Sequence, residues 1–162
     1  MKASSAFSLI EIVLALGVVA FALIGIMGLF PVAMKSAQES QRETRATLIA
    51  QQIFSDLRVR AGTNRLMVCG RSAAVASSLK TNFSLAVNGN TEFLAYDPDG
   101  AGMADISGTV FTNGCPSALF LARVEVDAGI PHLSRVQATI ETPAPAHSTN
   151  RSKYAFITLI GY

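Results

Sequence analysis

The sequence predicts an α+β fold in which one long N-terminal helix lies against an antiparallel β-sheet. Three features predict it: an uncharged run from Ile12 to Met34, an amphipathic helical repeat after it, and alternating segments in the C-terminal half. The chain has 162 residues, and the part after the apolar run is long enough for one small domain. We therefore expect a membrane helix followed by a single β-rich head domain.

The apolar run is long enough to cross a membrane. The 23 residues from Ile12 to Met34 carry no charge, and a bilayer core needs about 20 helical residues. The alternative is a removable secretory signal, whose apolar core is usually about 7–15 residues long. Cleavage after Ala33 or Ala37 would also place Pro31 or Lys35 where such a signal needs a small residue. The run therefore predicts a membrane anchor, although the flanking charges do not fix its orientation.

Pro31 lies inside the predicted helix and is expected to kink it, because proline removes a backbone hydrogen bond. Gly25 and Gly28 precede it and soften the same part of the helix. One interpretation is a flexible joint used during assembly. The other is the ordinary tolerance of membrane helices for glycine and proline.

The helix becomes amphipathic after Met34. Ile49, Ile53 and Leu57 recur four residues apart, and this spacing predicts one buried stripe. The same stripe includes Ala46, Ala50 and Phe54. We expect the helix to run from about residue 8 to about residue 61 and to stop at Gly62, since glycine is a common helix terminator.

The C-terminal half reads as a meander of antiparallel strands. FSLAV and TEFLAY flank Asn88-Gly89-Asn90, which predicts a hairpin. Two further segments, LFLARVEVDA and SRVQATIET, alternate between apolar and polar residues, and KYAFITLIGY closes the chain as a strand. The predicted inward side chains are Phe120, Ala122, Val124, Val126, Val136, Ala138 and Ile140. Such a sheet would bury the apolar stripe of the helix.

Composition and motifs argue against several classes of function. The net charge is +2 and the basic residues are scattered, so no nucleic-acid surface is predicted. No phosphate-binding loop, zinc-protease or hydrolase motif occurs, and no cofactor is predicted. His132 and His147 lie near prolines in expected loops and read as ordinary surface residues. We therefore do not predict an enzyme.

Two groups of side chains remain as possible sites in the head domain. Asp97, Asp99 and Asp105 could supply hard oxygen ligands for calcium, but the alternative is a plain surface turn. Cys69 and Cys115 are the two cysteines, and no CxxC pair indicates zinc. Outside the cytoplasm they could form one disulfide, and the alternative is two free thiols.

Glu11 is an acid near the front of the apolar run. A carboxylate deep in hydrocarbon costs about 2.5–3.5 kcal/mol, and less near the start of a membrane helix. It could be a tolerated interfacial acid, since helix N-termini favour negative charge. It could instead await a positive partner within an apolar assembly.

The N-terminus resembles the prepilin N-terminus of the type IV pilin superfamily. A short polar leader with Lys2 precedes Phe7-Ser8-Leu9-Ile10-Glu11 and the apolar helix. The family pattern is a glycine followed by Phe-Thr-Leu-Ile-Glu, and this chain has Ala6 at the glycine position. The superfamily includes type IV pili, type II secretion pseudopilins and competence pili. Phe-Pro-Val after the apolar run looks more like minor pseudopilins, and this part also resembles the prepilin-like cassette protein B group of Verrucomicrobia.

The resemblance implies how the chain is processed and assembled. Prepilin peptidase would remove leader residues 1–6 by cutting between Ala6 and Phe7, and Phe7 would be N-methylated. Glu11 would neutralise the N-terminal amine of a neighbouring pilin-like subunit. Residues 7–34 would form the helix of the inner membrane and filament core, residues 35–62 its amphipathic second half, and residues 63–162 an extracytoplasmic head.

An alternative function is a single-pass, signal-anchored binding module outside the cytoplasm that does not polymerise. Such a module needs no cut between Ala6 and Phe7. Processing at that bond therefore separates the two hypotheses.

Overall fold

A computed structural model describes residues 8–59, 61, 66–67, 79–80 and 83–161 of the chain. The chain divides into two compact units, Met1–Gln41 and Arg42–Tyr162. Together the elements form the predicted α+β arrangement of one long N-terminal helix and an antiparallel sheet. The units are described separately below.

The long helix α1 spans Leu9–Val59. It begins after Ser8, whose carbonyl accepts hydrogen bonds from the amides of Glu11 (3.0 Å) and Ile12 (3.3 Å). Arg58 lies in its last turn, where a cation complements the helix dipole. These bounds agree with the prediction of a helix from about residue 8 to 61, and the predicted stop at Gly62 lies outside the described residues.

The sheet of the second unit has five antiparallel strands in the order β4-β3-β5-β6-β7. Their bounds are β3 Thr91–Tyr96, β4 Gly102–Asp105, β5 Phe120–Ile130, β6 Leu133–Thr142 and β7 Ser152–Gly161. Strands β5, β6 and β7 form the predicted meander. The other edge of β5 pairs with β3. A separate pair of short strands joins β1, Leu66–Met67, to β2, Leu79–Lys80.

One face of the sheet buries the apolar stripe of α1. Ile49, Ile53 and Leu57 are at most 2% exposed, so the predicted stripe is confirmed. They belong to one cluster with the predicted inward side chains of β5 and β6, and these are buried as well. The α1 residues of this cluster begin at Ala46. The head core therefore draws only on the second half of the helix.

A short helix, α2, covers part of the opposite face of the sheet. It spans Gly108–Asn113 and is capped by Ser107, whose side chain accepts from the amide of Val110. Phe111 from α2 packs with Leu121 and Ala144 in a second buried cluster. This helix was not predicted, because six residues are too few to show a clear helical period.

The predicted hairpin between FSLAV and TEFLAY is wrong. TEFLAY forms β3, but residues 83–90 are turns and irregular backbone rather than a strand. The turn instead bonds to β5: the amide of Gly89 donates to the carbonyl of Val126, and the amide of Val126 donates to the carbonyl of Asn90, both at 2.9 Å. Phe83 and Leu85 are nevertheless buried, so their apolar character reflects the core and not a strand.

Candidate functional site

The first unit presents an uncovered apolar helix surface. Every described residue from 8 to 41 is exposed, and Leu9 and Phe21 keep about four-fifths of their surface. By length and composition α1 could cross a membrane, and none of its most apolar 18-residue window is buried. Soluble proteins rarely expose a contiguous apolar surface of this extent. The surface is therefore a candidate for contact with lipid or with other apolar helices.

Glu11 lies in the first turn of this surface. Its neighbours on one side of the helix are Ile12, Ala15, Leu16 and Val19, which with Glu11 line an open and mainly apolar depression. An acid in the first turn of a helix is favoured by about 0.3–1 kcal/mol, because it complements the helix dipole. The position suits either an interfacial acid or an acid that meets a positive group on a neighbouring chain.

Predictions were also made for three other residues of this segment, Ala6, Phe7 and Pro31. Ala6 and Phe7, the predicted processing and methylation positions, lie outside the described residues. Pro31 lies inside α1, which continues through it, so the proline does not end the helix. A flexible joint at Pro31 stays a prediction.

In the second unit, the acidic turn after β3 is bound to α1. Arg45 donates to the carbonyl of Pro98, and its guanidinium lies 3.5 Å from the carboxylate of Asp99. The carboxylate of Asp97 accepts from the amides of Asp99 (2.9 Å) and Ala101 (2.8 Å). Two of the predicted calcium ligands thus hold the turn and its helix contact together.

The third predicted ligand, Asp105, lies on β4 in register with Leu94. Within the described residues, no group of three or more acidic, histidine or cysteine side chains is arranged to hold a metal ion. Gly100 completes the turn with a φ of 82°, a conformation that favours glycine. The turn therefore has a structural explanation that needs no ion.

Cys115 is half-buried and forms no disulfide with another described residue, and its Sγ lies 3.3 Å from the hydroxyl of Ser117. Its predicted partner Cys69 lies outside the described residues, so the disulfide stays a prediction. His132 and His147 are both exposed. His147 caps a 3₁₀ turn over Ser148–Asn150, and its Nδ1 lies 3.0 Å from the hydroxyl of Thr149.

Sequence reasoning missed a buried ion pair in the head. Glu141 on β6 and Arg151 before β7 lie 3.0 Å apart, and their side chains are 2% and 0% exposed. The alternation of β6 placed Glu141 on the polar side of the strand, which does not reveal burial. The contact depends on α2 and on the connection after β6, and no local sequence pattern indicates it.

No family model matches the chain, and neither a curated protein nor a solved structure matches it. The fold and exposed helix define a broad class: proteins with a long N-terminal apolar helix followed by an antiparallel sheet. In general terms this order of elements is pilin-like.

Proposed function

We propose that this protein is a structural subunit, of the minor kind, in a type IV pilin-like filament or a type II secretion-like pseudopilus. The observation that supports this most is the exposed apolar surface of α1 over residues 9–34. Apolar area of this size gains free energy when it leaves water, at roughly 25 cal/mol per Å². In the proposed cycle lipid covers it first, with the head outside the cytoplasm, and neighbouring helices cover it after assembly.

The exposed apolar surface does not contribute to the core of the head domain. Its core takes α1 residues only from Ala46 onward, together with side chains from the sheet. The first half of α1 is therefore available for contacts with lipid and with other subunits. One half of α1 contributes to the head core and the other half is exposed. This separation supports the proposal of a subunit that assembles through the N-terminal half of the helix.

Glu11 favours an assembly over a simple anchor. Between Ser8 and Met34 it is the sole charged residue, and it lies in the first turn of the helix. Two opposite charges that meet in low dielectric offset part of each other's desolvation cost. If Phe7 becomes the N-terminus, its amine is the matching cation on a neighbouring chain. Glu11 would then set the position of each subunit along the next.

The second candidate is a single-pass, signal-anchored binding module outside the cytoplasm. The same exposed helix would be covered by lipid, and Glu11 would be an acid at the membrane surface. Such a module has no requirement for a cut before Phe7.

Mass spectrometry of the mature N-terminus tests the proposal. The protein is taken from the membranes of its native host, with and without an active prepilin peptidase. We expect a chain that begins at N-methylated Phe7 in the first case and retains residues 1–6 in the second. Intact residues 1–6 in the mature protein of the active host would reject the proposal and favour the anchored module.

A further inference from the structure

We draw no further inference here: the strongest candidate, the exposed aliphatic row Ala155, Ile157 and Leu159 on the edge strand β7, carries none, because the basic side chains beside it, Lys153 and Arg135, are already paired with Glu141 and Asp127 and nothing in the described part of the chain shows what covers it.

Discussion

The guanidinium of Arg151 is buried against the carboxylate of Glu141, with Nη1 3.0 Å from Oε2. Nε of Arg151 also donates to the carbonyl of Ala146 at 2.7 Å, and its guanidinium carbon lies 5.4 Å from the ring centre of Phe111. The pair thus joins β6 to the connection that follows it and to α2. Because both charges are desolvated, the geometry of this end of the head depends on both partners.

Arg151→Ala should lower the free energy of unfolding by about 3–5 kcal/mol, because it removes one partner of a buried ion pair. Lys153 lies 3.3 Å from the other oxygen of Glu141 and is half-exposed, so the loss should fall near the lower end of that range. Urea unfolding of the full chain in detergent, followed by circular dichroism, measures it. The surface change Arg135→Ala should cost under about 1 kcal/mol.

The double variant Glu141→Leu, Arg151→Met separates charge from packing. It should be more stable than either Arg151→Ala or Glu141→Ala, since no unpaired charge is left buried. Equal losses in the free energy of unfolding for Arg151→Ala and Arg135→Ala would show that the buried pair stabilises the head no more than an exposed ion pair does.

The periodicity of the sequence predicted those parts of the fold that depend on residues close together along the chain. The spacing of Ile49, Ile53 and Leu57 placed the buried side of α1, and the alternation around Val124 and Val136 placed the inner face of the sheet. The hairpin before β3 failed because its apolar residues are buried in irregular backbone. Leu85, for example, is 4% exposed, and its carbonyl accepts from the hydroxyl of Ser134.

The candidate sites were harder to predict from the sequence, because their residues lie far apart along the chain. The contacts of Arg45 with the turn at Pro98 and of Arg151 with Glu141 join separate elements. Only the folded chain brings these residues together, and neither pair has a spacing that marks it. Glu11 is the exception, because its position in an apolar run is a local property.

Arg45→Ala should loosen the turn after β3 with little effect on global stability. Arg45 donates to the carbonyl of Pro98 and lies near Asp99, but the two side chains are 44% and 65% exposed. The expected loss in the free energy of unfolding is therefore under about 1 kcal/mol. Amide exchange at residues 99–101 should become faster. Lys35→Ala, on the exposed part of α1, is the control, and the prediction fails if Arg45→Ala leaves those amides unchanged.

Cys69 and Cys115 are expected to pair when the head lies in an oxidising compartment. A bridge closing a loop of about 46 residues should stabilise the head by roughly 3–4 kcal/mol in the chain-entropy model. Alkylation of native protein before and after reduction, followed by mass spectrometry, counts the free thiols. Cys115→Ser should match the reduced natural chain in stability. Two alkylated thiols without reduction would contradict the pairing.

Ala6→Gly should be cut by prepilin peptidase at least as fast as the natural chain. The reason is the resemblance of the following Phe7-Ser8-Leu9-Ile10-Glu11 to a motif that has glycine before the cut. A time course with purified peptidase and detergent-solubilised substrate measures the rate. Ala6→Val, which is bulkier at the same position, should be cut more slowly. Slower conversion of Ala6→Gly would remove the support for a prepilin-type site.

Glu11→Leu should enter the membrane as well as the natural chain does but fail to assemble. The change removes an acid from an apolar segment, so insertion becomes easier or stays the same. In a filament it would leave the N-terminal amine of a neighbour unpaired among apolar side chains, and an unpaired buried charge commonly costs about 3–5 kcal/mol. Glu11→Asp should be intermediate, since it keeps the charge but has a shorter reach.

The measurement compares the amount of each variant in the membrane fraction with the amount in sheared or cross-linked filaments, with partner subunits present. Glu39→Leu is the matched control, because it removes an exposed acid from α1 outside the apolar run. It should leave the ratio of filament to membrane protein near that of the natural chain. An unchanged ratio for Glu11→Leu as well would make Glu11 an interfacial acid that stabilises the start of the helix. The anchored module would then account better for this chain, because nothing on its exposed helix would depend on a second subunit.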